Sequence, residues 1–113
     1  MSQPVPNIDP DDVTRLLDRE FGEAADAARA ILGALSGTHP GAVARVSAAA
    51  IKLSGGDLEQ LRSAVAVGLA DWRDVLSAAE YPRYMQLPDD PTPADRTAAI
   101  DADGAEYRAW LTG

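Results

Sequence analysis

The sequence lacks cysteine and contains a single histidine, His39. Without cysteine the chain forms no disulfide bond and carries no thiol nucleophile. One histidine without an HExxH spacing does not by itself make a zinc site or a catalytic triad. His39 precedes Pro40 at a predicted helix start, so we expect it to cap that helix or to lie in solvent. We therefore predict no bound metal ion and no cofactor.

Large apolar side chains are also scarce. Alanine supplies 22 of the 113 residues, whereas leucine, isoleucine, valine and phenylalanine together supply 23. That share is close to the level of about one-fifth below which chains tend to be disordered. Because alanine buries little apolar area, the core must be thin. We expect stability to come from close packing of alanine-rich helices or from a second subunit.

Positive charge is in deficit, with 10 basic against 18 acidic residues and a formal net charge of -8. This balance disfavours binding to nucleic acids and to anionic membrane surfaces, which both require clustered lysine and arginine. No apolar run approaches the length of about 20 residues that spans a bilayer. The first ten residues, MSQPVPNIDP, lack the basic and apolar regions of a secretory signal. We therefore expect a cytoplasmic protein with no nucleic-acid partner and no membrane partner.

What the sequence does contain is helical periodicity and clear helix-start signals. Asp9 and Pro10 fit the cap and first position of one helix, and Thr92 and Pro93 repeat this arrangement near the other end. The glycine pair at residues 55–56, followed by a capping pattern, predicts a tight turn between antiparallel helices. No segment alternates with the two-residue period of a strand. The predicted fold is all-α.

We predict a single-domain bundle of about four helices, over residues 10–36, 40–54, 57–81 and 93–111. The apolar period continues through Gly22, which favours one long first helix that bends there. The helix over 57–81 has a second apolar stripe that includes Ala64 and Val67, so we expect it to be central.

Outside these helices, residues 1–8 form a flexible tail and residues 9–113 form the domain. A proline-rich connection over residues 82–92 should cross the bundle in an extended conformation.

Three carboxylates fall near apolar helix faces: Glu20, Asp71 and Asp103. A buried carboxylate requires a hydrogen-bonding or cationic partner. One interpretation is a cluster that binds a metal ion or performs acid-base chemistry, although the Glu-x-x-His pairs common in such helical sites are missing. The interpretation that we favour is internal ion pairing that fixes the register of the helices.

Chemically active side chains are concentrated in the segment Asp71–Tyr84. The candidate ligand or interaction residues are Asp71, Arg73, Asp74, Glu80, Tyr81 and Arg83. In a ligand site, Asp71 or Glu80 would be the acid or base. Arg73 or Arg83 would pair with an anion, and Tyr81 would donate a hydrogen bond. Such a site requires these side chains to converge on one concavity.

Two motifs resemble a family of small bacterial helical proteins that has no assigned activity. The first, K-L-x-x-G-D-L, corresponds to Lys52, Leu53, Gly56, Asp57 and Leu58. The second, D-[WYF]-R-D-[VL]-L-x-x-A-E-Y-P, corresponds to residues 71–82, with Trp72 where the family more often has tyrosine. The resemblance implies a helical bacterial fold, and it implies no substrate, cofactor or catalytic residue.

Two functional hypotheses follow. The first is a non-enzymatic protein that acts through protein contacts, most simply as a homodimer or otherwise with another protein partner. It is motivated by the small supply of large apolar residues and by helices with two apolar faces. The alternative is a small-molecule-binding protein or minor enzyme that uses the segment Asp71–Tyr84.

Overall fold

A computed structural model describes residues 8–37 and 42–113, which form seven α-helices and two 3-10 helices. The α-helices are α1 (Pro10–Phe21), α2 (Ala25–Leu32), α3 (Val43–Ser54), α4 (Leu58–Ala70), α5 (Trp72–Glu80), α6 (Pro82–Met85) and α7 (Pro93–Thr112). The 3-10 helices, Gly22–Ala24 and Gly33–Gly37, follow α1 and α2. These residues include no strand, so the predicted all-α class is confirmed, but the count of four helices is wrong. Three predictions concern residues outside the described ranges. They are the role of His39, the helix start at residue 40, and residues 1–7 of the predicted tail over 1–8.

The helix predicted over residues 10–36 is divided at Gly22. It begins as expected, because Asp9 and Asp12 form a capping box ahead of α1. Gly22 then has a φ of 52°, a left-handed conformation that residues with a side chain rarely adopt. The chain turns there, and α2 packs back against α1. The apolar period continues across this turn because both helices contribute to the same core.

The helix predicted over residues 57–81 is divided at Asp71, where the backbone is extended. Asp71 ends α4, and its side chain accepts a hydrogen bond from the Arg73 amide (3.0 Å), which caps α5. A Cβ atom at Gly68 would lie 3.3 Å from Leu35 and 3.4 Å from Val75. The absence of a side chain at Gly68 therefore allows close approach of α5 to α4.

The connection over residues 82–92 begins with the single helical turn α6 and not with extended chain. Pro82 occupies its first turn. The Asp103 side chain on α7 accepts hydrogen bonds from the amides of Arg83 and Tyr84, both at 3.1 Å. This cap comes from a residue about 20 positions later in the chain. The expected extended conformation is therefore wrong for residues 82–85.

The centre of the bundle is α3, which packs against α1, α4 and α5. All six residues 46–51 of α3 are buried, and the alanines at 48–50 let neighbouring helices approach closely. The central helix is therefore α3 and not the helix predicted over residues 57–81. On α4, Ala64 is buried while the Val67 side chain is 46 % exposed. One flank of α4 is thus open to solvent.

Candidate functional site

The first three candidate residues lie at the beginning of α5. The Asp71 carboxylate accepts hydrogen bonds from the Arg73 amide (3.0 Å) and from Arg73 Nε (3.1 Å). The side-chain hydrogen bond from Arg73 is the main reason that the pKa of Asp71 is lowered. Asp71 is not buried: its side chain is 37 % exposed. Asp74, one turn later, is exposed as well.

Glu80 lies at the other end of α5 and is fully buried. Arg45 of α3 donates two hydrogen bonds to its carboxylate, from Nε to Oε2 (2.8 Å) and from Nη2 to Oε1 (2.7 Å). This bidentate arrangement is the strong form of an arginine–carboxylate pair. Glu80 raises the pKa of Arg45, first through the side-chain hydrogen bond. The pair joins α3 to α5.

Tyr107 of α7 lies in the same interior region and is also fully buried. Its hydroxyl has no hydrogen-bond partner among the described residues. Burial is the main cause of its raised pKa, and the negative charge of Glu80 adds to it. Lys52 of α3 places its Nζ 5.4 Å from the centroid of the Tyr107 ring. The same Nζ donates a hydrogen bond to the Ala79 carbonyl (2.7 Å).

Asp103 and Arg83 connect α7 to α6. Asp103 is buried, and its Oδ1 accepts hydrogen bonds from the Arg83 amide and Arg83 Nη1, both at 3.1 Å. Arg83 also pairs with Glu106 on α7. The side-chain hydrogen bond from Arg83 is the main cause of the lowered pKa of Glu106. Every oxygen of the buried Asp103 carboxylate therefore has a donor.

Glu20 lies near the end of α1, contacts the end of α7 and is partly buried. Trp110 Nε1 donates to its Oε1 (3.4 Å), and Arg19 Nε donates to its Oε2 (3.3 Å). The Arg19 guanidinium also lies 5.1 Å from the centroid of the Trp110 ring. Arg15 donates a hydrogen bond to the Leu111 carbonyl. These contacts hold the last turns of α7 against α1.

Tyr81 follows Glu80 at the end of α5 and is partly buried. Its ring meets the Tyr84 ring edge to face, with centroids 6.4 Å apart. Both rings line a cavity of about 300 Å³ together with Met85 and Ile100. None of the charged candidate residues lines this cavity.

The segment Asp71–Tyr84 therefore does not converge on one concavity. Its residues separate into the exposed beginning of α5, the buried pair of Glu80 with Arg45, and the contacts between α6 and α7. Their chemistry is that of ion pairs and caps that fix helix positions. Sequence reasoning did not single out Glu80 as a buried carboxylate. Its spacing of four residues from the buried Leu76 is a signal that could have identified it.

A different concave surface lies beside the open flank of α4, and we name it the α4–α5 groove. It has a volume of about 230 Å³, and its apolar lining is Leu53, Ala64, Val67, Val75 and Ala78. Leu53 and Val67 are 39 % and 46 % exposed. Of the described residues that line the groove, only Asp74 carries a charge.

No three or more histidine, aspartate or glutamate side chains within residues 8–37 and 42–113 are placed to hold a metal ion together. None of the described helices combines the length and the apolar composition needed to cross a bilayer.

Comparison with known proteins gives no assignment of this surface. No protein-family model, no curated protein and no solved structure matches the chain. The resemblance carried by residues 52–58 and 71–82 stays a prediction.

Proposed function

We propose that the protein acts through protein contacts and without catalysis, as a homodimer joined through the α4–α5 groove. The observation that carries the proposal is the exposure of Leu53 and Val67 beside a hollow in which Ala64 and Ala78 leave space. Exposed apolar side chains that share one concave surface, unlike single exposed residues, are typical of an interaction site.

The proposal places the α4–α5 grooves of two copies face to face. Val67 projects from α4, whereas the neighbouring Ala64 and Ala78 carry only a methyl group. A two-fold axis brings the same patch of both copies together, so a projection on one copy meets the hollow of the other. Small residues also allow two helices to approach closely enough for their side chains to interdigitate. A second copy of α4 is therefore a suitable occupant.

Charge supports a second copy as the occupant. Two molecules that each carry a net charge of -8 repel one another at long range. Among the described residues that line the α4–α5 groove, only Asp74 is charged, so few like charges meet when two grooves pair. Two copies can therefore meet at the α4–α5 groove with little electrostatic repulsion.

The test is sedimentation equilibrium from micromolar to millimolar protein, with Val67→Asp as the main variant. We expect the wild-type dimer fraction to grow over this range. Val67→Asp places like charges opposite each other across the two-fold axis, a cost of several kcal/mol, and should weaken association by about 100-fold or more.

The matched control is Leu69→Asp. Leu69 is 52 % exposed. It follows Val67 by two residues, which is a rotation of about 200° around α4, so it lies on nearly the opposite face of the helix. Leu69→Asp should change the association constant by no more than about threefold, as surface substitutions outside an interface do. A wild-type protein that stays monomeric throughout, or equal effects of the two variants, would overturn the proposal.

The alternative, a ligand site formed by the segment Asp71–Tyr84, has less support. Asp71 and Glu80 lie at opposite ends of α5, about 13 Å apart at 1.5 Å per residue. Each already has an arginine partner. A small molecule would have to displace these pairs to bind both carboxylates.

A further inference from the structure

A second concavity lies away from the α4–α5 groove, and we name it the α1–α3 cleft. It opens between α1, the end of α2 and the beginning of α3 and has a volume of about 490 Å³. Its apolar lining is Ile8, Val13, Leu17, Leu32, Val43 and Ala44. Both the size and the predominantly apolar walls are typical of small-molecule sites.

Of the described residues that line the α1–α3 cleft, only Arg29 is a cation. Arg29 of α2 donates from Nη2 to the Thr14 hydroxyl (3.0 Å), and it forms no ion pair with any described residue. By contrast, a carboxylate or carbonyl oxygen accepts a hydrogen bond from each arginine of the interior contacts, which are Arg15, Arg19, Arg45 and Arg83. An unpaired guanidinium at the edge of an apolar cleft is a donor fork suited to a carboxylate.

Asp9 is the acidic residue at the cleft, and its carboxylate repels an anionic ligand with only part of its charge. Its carboxylate accepts a hydrogen bond from the Asp12 amide (2.9 Å) at the beginning of α1. The positive end of the α1 dipole therefore offsets some of its negative charge. Asp9 forms no salt bridge with Arg29, so the guanidinium remains available.

We propose that the α1–α3 cleft binds an acyl carboxylate of medium chain length. The hydrocarbon chain lies against Ile8, Val43 and Ala44, which are partly exposed, and its burial there supplies most of the affinity. The carboxylate pairs with Arg29 and fixes the orientation of the chain. The proposal is independent of dimerisation, because none of these residues lines the α4–α5 groove.

The test uses isothermal titration calorimetry with decanoate and decanol, both below the concentration at which they aggregate. The two probes share a hydrocarbon chain and differ in the head group. We expect the wild-type protein to bind decanoate about tenfold more tightly than decanol, since a hydrogen bond to a charged group contributes about that factor.

Two substitutions separate the parts of the site. Arg29→Gln should reduce decanoate affinity about tenfold, to the level of decanol, and leave decanol binding unchanged. Ala44→Phe should abolish binding of both probes by filling the cleft. If thermal melting shows that Ala44→Phe is misfolded, Ala44→Leu takes its place. Arg62→Gln on α4 is the matched control, because Arg62 pairs with Glu59 and does not line the cleft.

The outcomes distinguish this proposal from its alternatives. Absence of binding by the wild-type protein overturns it. Equal affinity for decanoate and decanol overturns the assignment of Arg29 and of the carboxylate. Full binding by Ala44→Phe places the probe elsewhere and also overturns it. Val67→Asp should leave decanoate affinity unchanged, so that failure of the dimer and failure of the cleft are read separately.

Discussion

Glu80, Asp103 and Tyr107 show how the bundle treats polar groups that it buries completely. The two carboxylates each receive at least two donated hydrogen bonds. Tyr107 differs, because its hydroxyl has no partner among the described residues. A buried hydroxyl without a partner costs about 1–3 kcal/mol relative to one that is hydrogen bonded. Of these three residues, Tyr107 is therefore the one whose polar group contributes least to the fold.

The raised pKa of Tyr107 makes folding sensitive to alkali. Its pKa in the folded protein lies above the unfolded value of about 10, because of burial and of Glu80. The folded state thus holds this proton after the unfolded state has lost it. The associated stability is fully present below pH 10 and is lost as the pH rises above it, by up to about 1.4 kcal/mol per pH unit.

Tyr107→Phe should therefore remove this part of the alkaline loss. At pH 7 we expect a free energy of unfolding equal to that of the wild type or up to about 1 kcal/mol higher, since no hydrogen bond is lost. Above pH 10 the difference in favour of the variant should increase. Urea denaturation at several pH values measures both. Tyr84→Phe, at an exposed tyrosine, is the control, and parallel curves for Tyr107→Phe and wild type would contradict the argument.

At the scale of elements, local signals predicted where helices begin better than where they break. Asp9 and Thr92 cap α1 and α7 as expected, because a cap depends on residues within one turn. The break at Asp71 was missed because the apolar period continues from α4 into α5. Its local signal was the aspartate itself, which favours an N-cap over a helix interior.

Contacts between distant residues could not be read from the sequence in the same way. The cap that Asp103 provides for α6 spans 20 positions, and the pair of Glu80 with Arg45 spans 35. Helical spacing shows which face a residue occupies but not which helix that face meets. Asp103 was therefore identifiable from the sequence as a buried carboxylate, whereas Glu80 was missed. The partners of both carboxylates and the α4–α5 groove required the packing.

The turn between α3 and α4 supports a prediction at the same scale. Gly56 has a φ of 85°, and a Cβ atom there would lie 2.9 Å from the Glu20 carbonyl oxygen. Gly56→Ala should lower the free energy of unfolding by about 3 kcal/mol, through backbone strain and through this overlap. The Glu20 carbonyl oxygen belongs to α1, so the loss of stability measures how closely the turn between α3 and α4 packs against α1.

Gly55→Ala provides the matched control for that measurement by urea denaturation. Gly55 also has a positive φ, of 60°, but a Cβ atom there would meet nothing within 4 Å. Its cost should be limited to the left-handed conformation, about 1–2 kcal/mol. Equal losses for the two variants would show that the contact with Glu20 has no energetic consequence.

For the whole molecule, net charge and the nearly uncharged groove act in opposite directions. The -8 charge of each chain opposes association at a distance, whereas burial of Leu53 and Val67 favours it on contact. Salt screens the first effect and leaves the second largely unchanged. Raising sodium chloride from about 0.01 M to about 1 M shortens the Debye length from about 30 Å to about 3 Å.

Self-association should therefore become tighter as salt is added, by about tenfold or more over that range. Sedimentation equilibrium at constant pH and protein concentration measures the change. A basic protein partner on the same groove would show the opposite dependence, because salt screens an attraction between unlike charges. Dimer affinity that falls with added salt would mean that ion pairs join the copies, and the uncharged α4–α5 groove would then not be the contact surface.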